Sequence, residues 1–235
     1  MTSAPIILVP GYWLGAWAWD EVAAALRADG HGATALTLPG LGSADADRSS
    51  ITFADHVDAV CAAVHAAGAP VVLAVHSGAG AVGYAVSDRV PDQLAHVVYV
   101  DTGPAIGPLD ADLAPDELPM PPLEVLGPAE SLAGLTDEQL ATFRDRAVPQ
   151  PGGVVRGSAE LVDDRRLDVP TTVVCTTIPV DHLQSGIADG QPWVGGLAQL
   201  RHVALVDLPT SHWPMWSRPA DLAAVLSEIA RGDVS

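Results

Sequence analysis

The residues Val71-Val72-Leu73-Ala74-Val75-His76-Ser77-Gly78-Ala79-Gly80 place a serine where nucleophilic chemistry is possible. A β-branched apolar run leads into His-Ser, then small residues, then a helical pattern. This is how a strand, tight turn and helix read when they lift a serine Oγ out at the end of a buried strand. A serine needs a base, and His212 in Pro209-Thr210-Ser211-His212-Trp213-Pro214 lies in a loop after the last apolar run, from which an imidazole can reach over a sheet. The acid that would orient it has two candidates. Asp101 ends the run His96-Val97-Val98-Tyr99-Val100, and Asp181 lies in Ile178-Pro179-Val180-Asp181-His182. Either gives the order Ser–Asp–His. Asp101 is favoured because a strand end places it more tightly, and Asp181 remains the alternative. Pro10-Gly11-Tyr12-Trp13-Leu14-Gly15-Ala16-Trp17-Ala18-Trp19 follows the first apolar run. Acyl transfer needs two preorganised amides at the developing oxyanion, and Tyr12 and Gly78 are the candidates. Trp13 and Trp213 are candidate pocket residues, with Trp216 close behind, while Trp17 and Trp19 read as core.

A second pattern overlaps the first. Gly78-Ala79-Gly80-Ala81-Val82-Gly83 is a G-x-G-x-x-G after a strand, and Asp101 then falls where a dinucleotide-binding fold puts its ribose acid. His76-Ser77 intervene between the strand and the first glycine, and the unit lies mid-chain, so the dinucleotide reading ranks lower. No H-x-H, H-E-x-x-H or C-x-x-C occurs, and Asp163-Asp164 beside Arg165-Arg166 reads as solvated surface. Neither cofactor nor metal is expected.

The elements that must hold these groups alternate. Ile6 to Val9 is a doubly buried strand ending at Pro10-Gly11. Asp20 is a candidate cap for a helix carrying Val22, Ala25 and Leu26. A second strand is expected over 33–38. Thr52 and Asp55 form a capping-box pattern before Val57, Val60, Cys61 and Val64. A helix is expected from about Ala79 to Asp88, and strands over 94–100, 171–177 and 203–208. The last helix has Ser217 as its candidate cap, Pro219 in its first turn, and Leu222, Val225, Leu226 and Ile229 on one face. This rhythm predicts the α/β class: a mostly parallel sheet flanked by helices. It breaks over 103–166, where proline, glycine and acidic residues dominate and Thr136-Asp137-Glu138-Gln139 is the clear helix start. Such an insert reads as a cap or lid on one core domain made of 1–102 and 167–235.

Composition narrows the classes. The chain has 235 residues, 49% hydrophobic and 17% charged, with a formal net charge of −18. Every basic residue is arginine, which excludes lysine Schiff bases and a phosphate-binding lysine. So anionic a surface argues against nucleic acid and membrane partners. Cys61 and Cys175 read as small buried apolar residues. Met1 to Pro5 carry no basic leader pattern, and no run is long enough for a bilayer, so a cytoplasmic location is the default expectation.

Taken together, these residues resemble the α/β-hydrolase superfamily over nearly the whole chain outside the insert. Gly11 to Trp19 is similar to the loop after the first strand in plant methylesterases and hydroxynitrile lyases, and Ser-His-Trp-Pro to the superfamily's base loop. The resemblance implies Ser77 as nucleophile, His212 as base and the Tyr12 and Gly78 amides as oxyanion hole. It usually puts the acid after the later strand, where Asp181 lies, although some members use the position of Asp101. Pro10 and Val75 depart from the family's histidine and elbow glycine. The lysine of hydroxynitrile lyases is missing. The expected function is a serine esterase acting on a small, apolar carboxylic ester, lactone or thioester. A lyase or cyclase on the same fold, or a ligand- or dinucleotide-binding protein without covalent catalysis, is the alternative. The expected partner is a small-molecule substrate; the oligomeric state stays open.

Overall fold

The computed structural model describes residues 3–158 and 160–233. The outermost ends of the expected core and residue 159 of the insert lie outside the described residues. In chain order the first half runs β1 (Ile6–Val9), α1 (Asp20–Ala28), β2 (Ala33–Ala35), α2 (Phe53–Ala66), β3 (Val71–His76), α3 (Gly80–Arg89) and β4 (Leu94–Val100). The middle holds β5 (Glu117–Leu118), α4 (Leu123–Ala129), α5 (Asp137–Arg146), β6 (Gln150–Pro151) and α6 (Gly152–Arg156). The chain then completes β7 (Thr171–Cys175), α7 (Val180–Ala188), α8 (Gly195–Gln199), β8 (Val203–Asp207), α9 (Pro214–Ser217) and α10 (Pro219–Arg231).

Six strands form one parallel sheet in the order β2-β1-β3-β4-β7-β8. Alternate residues of its central strands feed two cores. Ile7, Val9, Leu73, Val75 and Tyr99 pack with α2 and α3, while Ile6, Leu8, Val72, Ala74 and Val100 pack with α1 and α10. Burial on both faces is why these strands read as unbroken apolar runs rather than alternating ones. Cys61 and Cys175 are buried and unpaired. No helix among the described residues is long and apolar enough to cross a membrane.

Several local expectations shift by a few residues, each for a tertiary reason. The second strand ends at Ala35, not Leu38. Beyond it the Thr37 hydroxyl accepts the Ala16 amide at 2.9 Å, so the chain turns to brace the loop after β1. The strand expected through Thr177 ends at Cys175, because the next two amides are drawn to a side chain described below. Asp20 is the first residue of α1 and makes no capping bond; Trp19 holds the cap position. Ser217 closes the short α9, and Arg218 precedes Pro219 at the start of α10. The capping boxes at Thr52/Asp55 and Thr136/Gln139 are both formed. Within 103–166, α4, α6 and the β5–β6 pair carried no clear sequence signal, since each is seven residues or fewer and its packing is non-local.

The sheet order puts a switch point between β1 and β3, from which the chain crosses in opposite directions to β2 and to β4. In open parallel sheets the crevice at the carboxyl ends beside such a point is where ligands bind. Tyr12 follows β1 there, and Ser77 follows β3.

Candidate active site

Five neighbouring strand ends supply the site in spatial order: Tyr12 after β1, Ser77 after β3, Asp101 after β4, Thr176 and Thr177 after β7, and His212 after β8. Three residues other than glycine adopt positive φ among the described residues, namely Trp13 (68°), Ser77 (50°) and Asp101 (47°). All three lie at this edge. Left-handed backbone is uncommon for such residues and persists only where packing over-determines it.

At Ser77 the determinants of that packing are visible. β3 passes through one 3-10 turn, Ser77–Ala79, into α3. A Cβ on Gly11 would stand 2.8 Å from His76 Nδ1 and 2.9 Å from Ser77 Cβ, and the Tyr12 ring lies flush against Gly78. Glycine at 11 and 78 therefore lets two loops close on the serine. Val75, too large for the usual elbow position, is accommodated from the opposite side, since a Cβ on Gly83 would stand 2.8 Å from Val75 Cγ1. Gly80 is likewise held against Thr102 and Gly103. Close packing thus accounts for the glycine spacing that resembled a dinucleotide fingerprint. In an open helix Gly→Ala stabilises by about 1 kcal/mol. At Gly83 the sign should reverse, with Gly83→Ala costing about 1–3 kcal/mol, because a valine stiff at χ1 cannot swing aside. Val75→Ala in the same chain should recover at least about 1 kcal/mol in a double-mutant denaturation cycle. Additive costs would disprove the compensation.

His212 connects the strand ends. The Ser77 hydroxyl donates to His212 Nε2 at 2.7 Å, and His212 Nδ1–H donates to Asp101 Oδ2 at 2.6 Å. A carboxylate only accepts, so the proton sits on Nδ1 and Nε2 is bare. Asp101 is itself fastened: Oδ1 accepts the amides of Thr176 at 3.1 Å and Thr177 at 2.9 Å, and Oδ2 accepts the Thr177 hydroxyl at 2.7 Å. Burial alone pushes the Asp101 carboxyl up. The hydrogen bonds from His212 and Thr177, with the His212 charge, outweigh it and hold the group well below the usual carboxylate range. Asp181 stands exposed in the first turn of α7 and makes no hydrogen bond to His212 among the described residues. Tyr12, Ser77 and Gly78 border one cavity, and the Tyr12 ring lies against Gly78. The first N–H groups of a helix have no partner within it, and Gly78 is in that position. Burial raises the Tyr12 phenol to about 12.

Three contributors carried no clear signal in the sequence. Thr177 looked like the end of a strand. His76 looked like a strand residue, yet its Nε2–H donates to the His212 carbonyl at 2.7 Å, and its buried Nδ1 has no partner among the described residues. Glu130 lay in an insert with no pattern. Its Oε2 is 3.3 Å from His212 Nδ1, and the next carbonyl, Ser131, accepts the His212 amide at 2.9 Å.

Burial, with the His212 charge adding to it, pushes the His76 imidazole down to about 3, and burial takes His96 down to about 4. Both rings are therefore neutral in the folded chain where the unfolded chain would bind a proton. Their contribution to stability is intact above about pH 6.5 and is lost as pH falls toward those lowered values. Thermal melts should show stability declining from about pH 6.5 to 4, by up to about 1.4 kcal/mol per pH unit for each group. His96→Gln, which can keep a hydrogen bond to Thr172, should flatten that decline. An unchanged slope in the variant would contradict the assignment.

Above the strand ends opens a cavity of about 750 Å³ bordered by Tyr12, Trp13, Ser77, Glu130, His212 and Trp213. An apolar annex of about 230 Å³ adjoins it, with Val173, Cys175, Leu183 and Leu197 in its walls. Asp101, Thr102, Pro104, Ala105, Ile178 and Trp193 border both. Trp13 also ties the β1 loop to the middle segment: its ring N–H donates to the Leu118 carbonyl, and its own carbonyl accepts the Val148 amide, each at 3.0 Å. Trp216 stacks on Trp17 with ring centres 5.6 Å apart, so it packs the scaffold rather than bordering the cavity.

Residues 6–225 match the Alpha/beta hydrolase family. Esterase PIR7B of Oryza sativa subsp. japonica is 41% identical over 106 residues, covering 43% of this chain and 40% of that protein. The match therefore spans only about two fifths of the rice esterase. Methylesterase 7 of Arabidopsis thaliana is 28% identical over 256 residues, covering 95% of each. Among solved structures, the methylesterase MES16 from Arabidopsis superposes with a TM-score of 0.76 at 17% identity, covering 97% of this chain and 99% of that one.

Proposed function

The chain belongs to the alpha/beta hydrolase family, and from that premise we propose that it is a serine hydrolase of small, apolar carboxylic esters, lactones or thioesters. One observation carries the reading: the hydrogen-bond line Ser77 Oγ–His212 Nε2 at 2.7 Å and His212 Nδ1–Asp101 Oδ2 at 2.6 Å. It has the geometry of an activated hydroxyl with an oriented base.

In this mechanism Ser77 Oγ attacks the carbonyl carbon while His212 Nε2 takes its proton. The carbonyl oxygen becomes an oxyanion held by the Tyr12 and Gly78 amides. His212 gives the proton to the leaving alcohol, and the ester bond breaks to leave an acyl group on Ser77. Water, deprotonated by the same nitrogen, then attacks the acyl carbon, and the serine leaves with the proton. Asp101 holds Nδ1–H throughout and offsets the imidazolium charge.

The esterase and methylesterase names of the relatives favour ester chemistry. The walls favour an apolar substrate. Ile106, Leu109, Ile178 and Trp193 are exposed large apolar side chains, and all four border the cavity. Such rims mark binding sites. A dry cavity of about 150 Å³ suffices for benzene, so the 230 Å³ annex fits a ring or short chain. We assign 103–166 as a cap over a core of 1–102 and 167–235, because Ile106, Glu130 and Val154 from that segment line the cavity.

Incubation with a fluorophosphonate followed by intact-mass analysis and peptide mapping tests the reading. One adduct on Ser77, missing from Ser77→Ala, is expected. A folded protein that takes no adduct would overturn it in favour of a lyase or binding protein.

A further inference from the structure

The cavity has a charge pattern that the proposed reaction does not use. Among its described border residues there is no arginine and, as in the whole chain, no lysine. It has two carboxylates, Asp101 and Glu130. The charge of Asp101 is engaged by Thr176, Thr177 and His212, with its side chain 3% exposed. Glu130 is different. Its side chain is 38% exposed, and its one ionic contact among the described residues is His212 Nδ1 at 3.3 Å, a nitrogen whose proton already goes to Asp101. Arginines close in sequence to border residues are spent elsewhere. Arg48 holds Glu117 and the carbonyls of Ser43, Ala44 and Ala46, and Arg156 holds the carbonyls of Leu113 and Pro115. The main chain beside Glu130 is tied to the site, because the Ser131 carbonyl accepts the His212 amide.

We propose that Glu130 sets a charge preference in this cavity, so that uncharged and cationic esters are accepted and esters bearing a second, ionised carboxylate are rejected. The inference rests on the ester-hydrolase reading and extends it to substrate class. A like charge brought near Glu130 finds no arginine or lysine among the described border residues to offset the repulsion. A cation meets the carboxylate in a cavity whose border also holds the aromatic rings of Trp13, Trp193 and Trp213. The net charge of −18 adds a long-range field of the same sign. At about 6 Å and an effective dielectric of about 40, one unit charge changes affinity about tenfold.

The test uses p-nitrophenyl esters of three acids of matched shape, ending in a tert-butyl, a trimethylammonium or a carboxylate group. In the wild-type chain kcat/KM for the carboxylate ester should lie at least about tenfold below the other two. Glu130→Gln should raise the carboxylate-to-ammonium ratio about a hundredfold, about tenfold from relief of the repulsion and about tenfold from loss of the attraction. The ratio cancels any effect of Glu130 on His212, which all three substrates share. Raising ionic strength should narrow the wild-type spread, since the group is partly exposed. A binding arm needs no turnover: the anilides of the same acids are titrated against Ser77→Ala and Ser77→Ala/Glu130→Gln by tryptophan fluorescence. Binding that discriminates by charge and depends on Glu130, without turnover of any ester, keeps this inference and overturns the hydrolase reading. Turnover with a ratio unmoved by Glu130→Gln overturns this inference and keeps the hydrolase reading.

Discussion

Ser77→Ala is expected to lower kcat for an activated ester by about 10⁶ while leaving the fold intact, a loss of the size seen when a serine nucleophile is removed from a working unit. Among the described residues the hydroxyl makes one side-chain hydrogen bond, to His212 Nε2, and its methylene is held by the close approach of Gly11. Alanine keeps that methylene and the φ of 50°, so the elbow survives without its nucleophile. His212→Ala should cost nearly as much, and the double variant little more than either. A nucleophile without its base and a base without its nucleophile fail at the same step. The measurement is steady-state kcat with p-nitrophenyl butyrate, alongside thermal melts of each variant. Hydrolysis that survives in folded Ser77→Ala would end the serine reading. Strictly additive losses would show that the two residues do not act together.

The second large effect separates two aspartates. Asp101→Asn should lower kcat by about 10⁴, and Asp181→Asn should leave it within about twofold. The reason lies in the donors around Asp101. Oδ1 faces the Thr176 and Thr177 amides, and Oδ2 faces Thr177 Oγ1 and His212 Nδ1. Asparagine has one oxygen, and the two amides bind it at the Oδ1 place. Its NH₂ then faces His212 Nδ1, which must accept rather than donate. The imidazole proton moves to Nε2, and a protonated Nε2 cannot take the proton of Ser77. The loss is thus one of tautomer, with distances nearly unchanged. Asp181 is solvated in the first turn of α7 and orients nothing that reacts. Full activity in Asp101→Asn would refute the proton line drawn here, and a large loss in Asp181→Asn would transfer the role.

Much of this arrangement was legible in the chain. Continuous apolar runs gave β1 and β3, because doubly buried strands cannot alternate, and the apolar run up to Val100 gave β4. Capping boxes gave the starts of α2 and α5, because those bonds close within four residues. The His-Ser-Gly sequence at a strand end and the late His212 loop drew attention to the two groups that the structure brings to 2.7 Å. Other features were silent. Thr177 has no pattern that marks it as a donor to a residue 76 positions earlier. Val75 looked like a flaw in the elbow until Gly83 was seen across from it. Glu130 sits between short elements whose order depends on packing against the core, so no periodicity announces where its carboxylate points.

By itself, then, the sequence determined the α/β alternation, the turn that exposes Ser77, and two candidate acids left in competition. Those follow from local rules: burial, capping, and glycine where backbones must approach. Only the tertiary structure decided which aspartate meets His212, which amides hold that aspartate, and which charges face the cavity. The order β2-β1-β3-β4-β7-β8 gathers residues 111 and 135 positions apart at one sheet edge. Hydrogen bonds and Coulomb forces act over a few ångströms of space, and chain periodicity records only separations along the backbone.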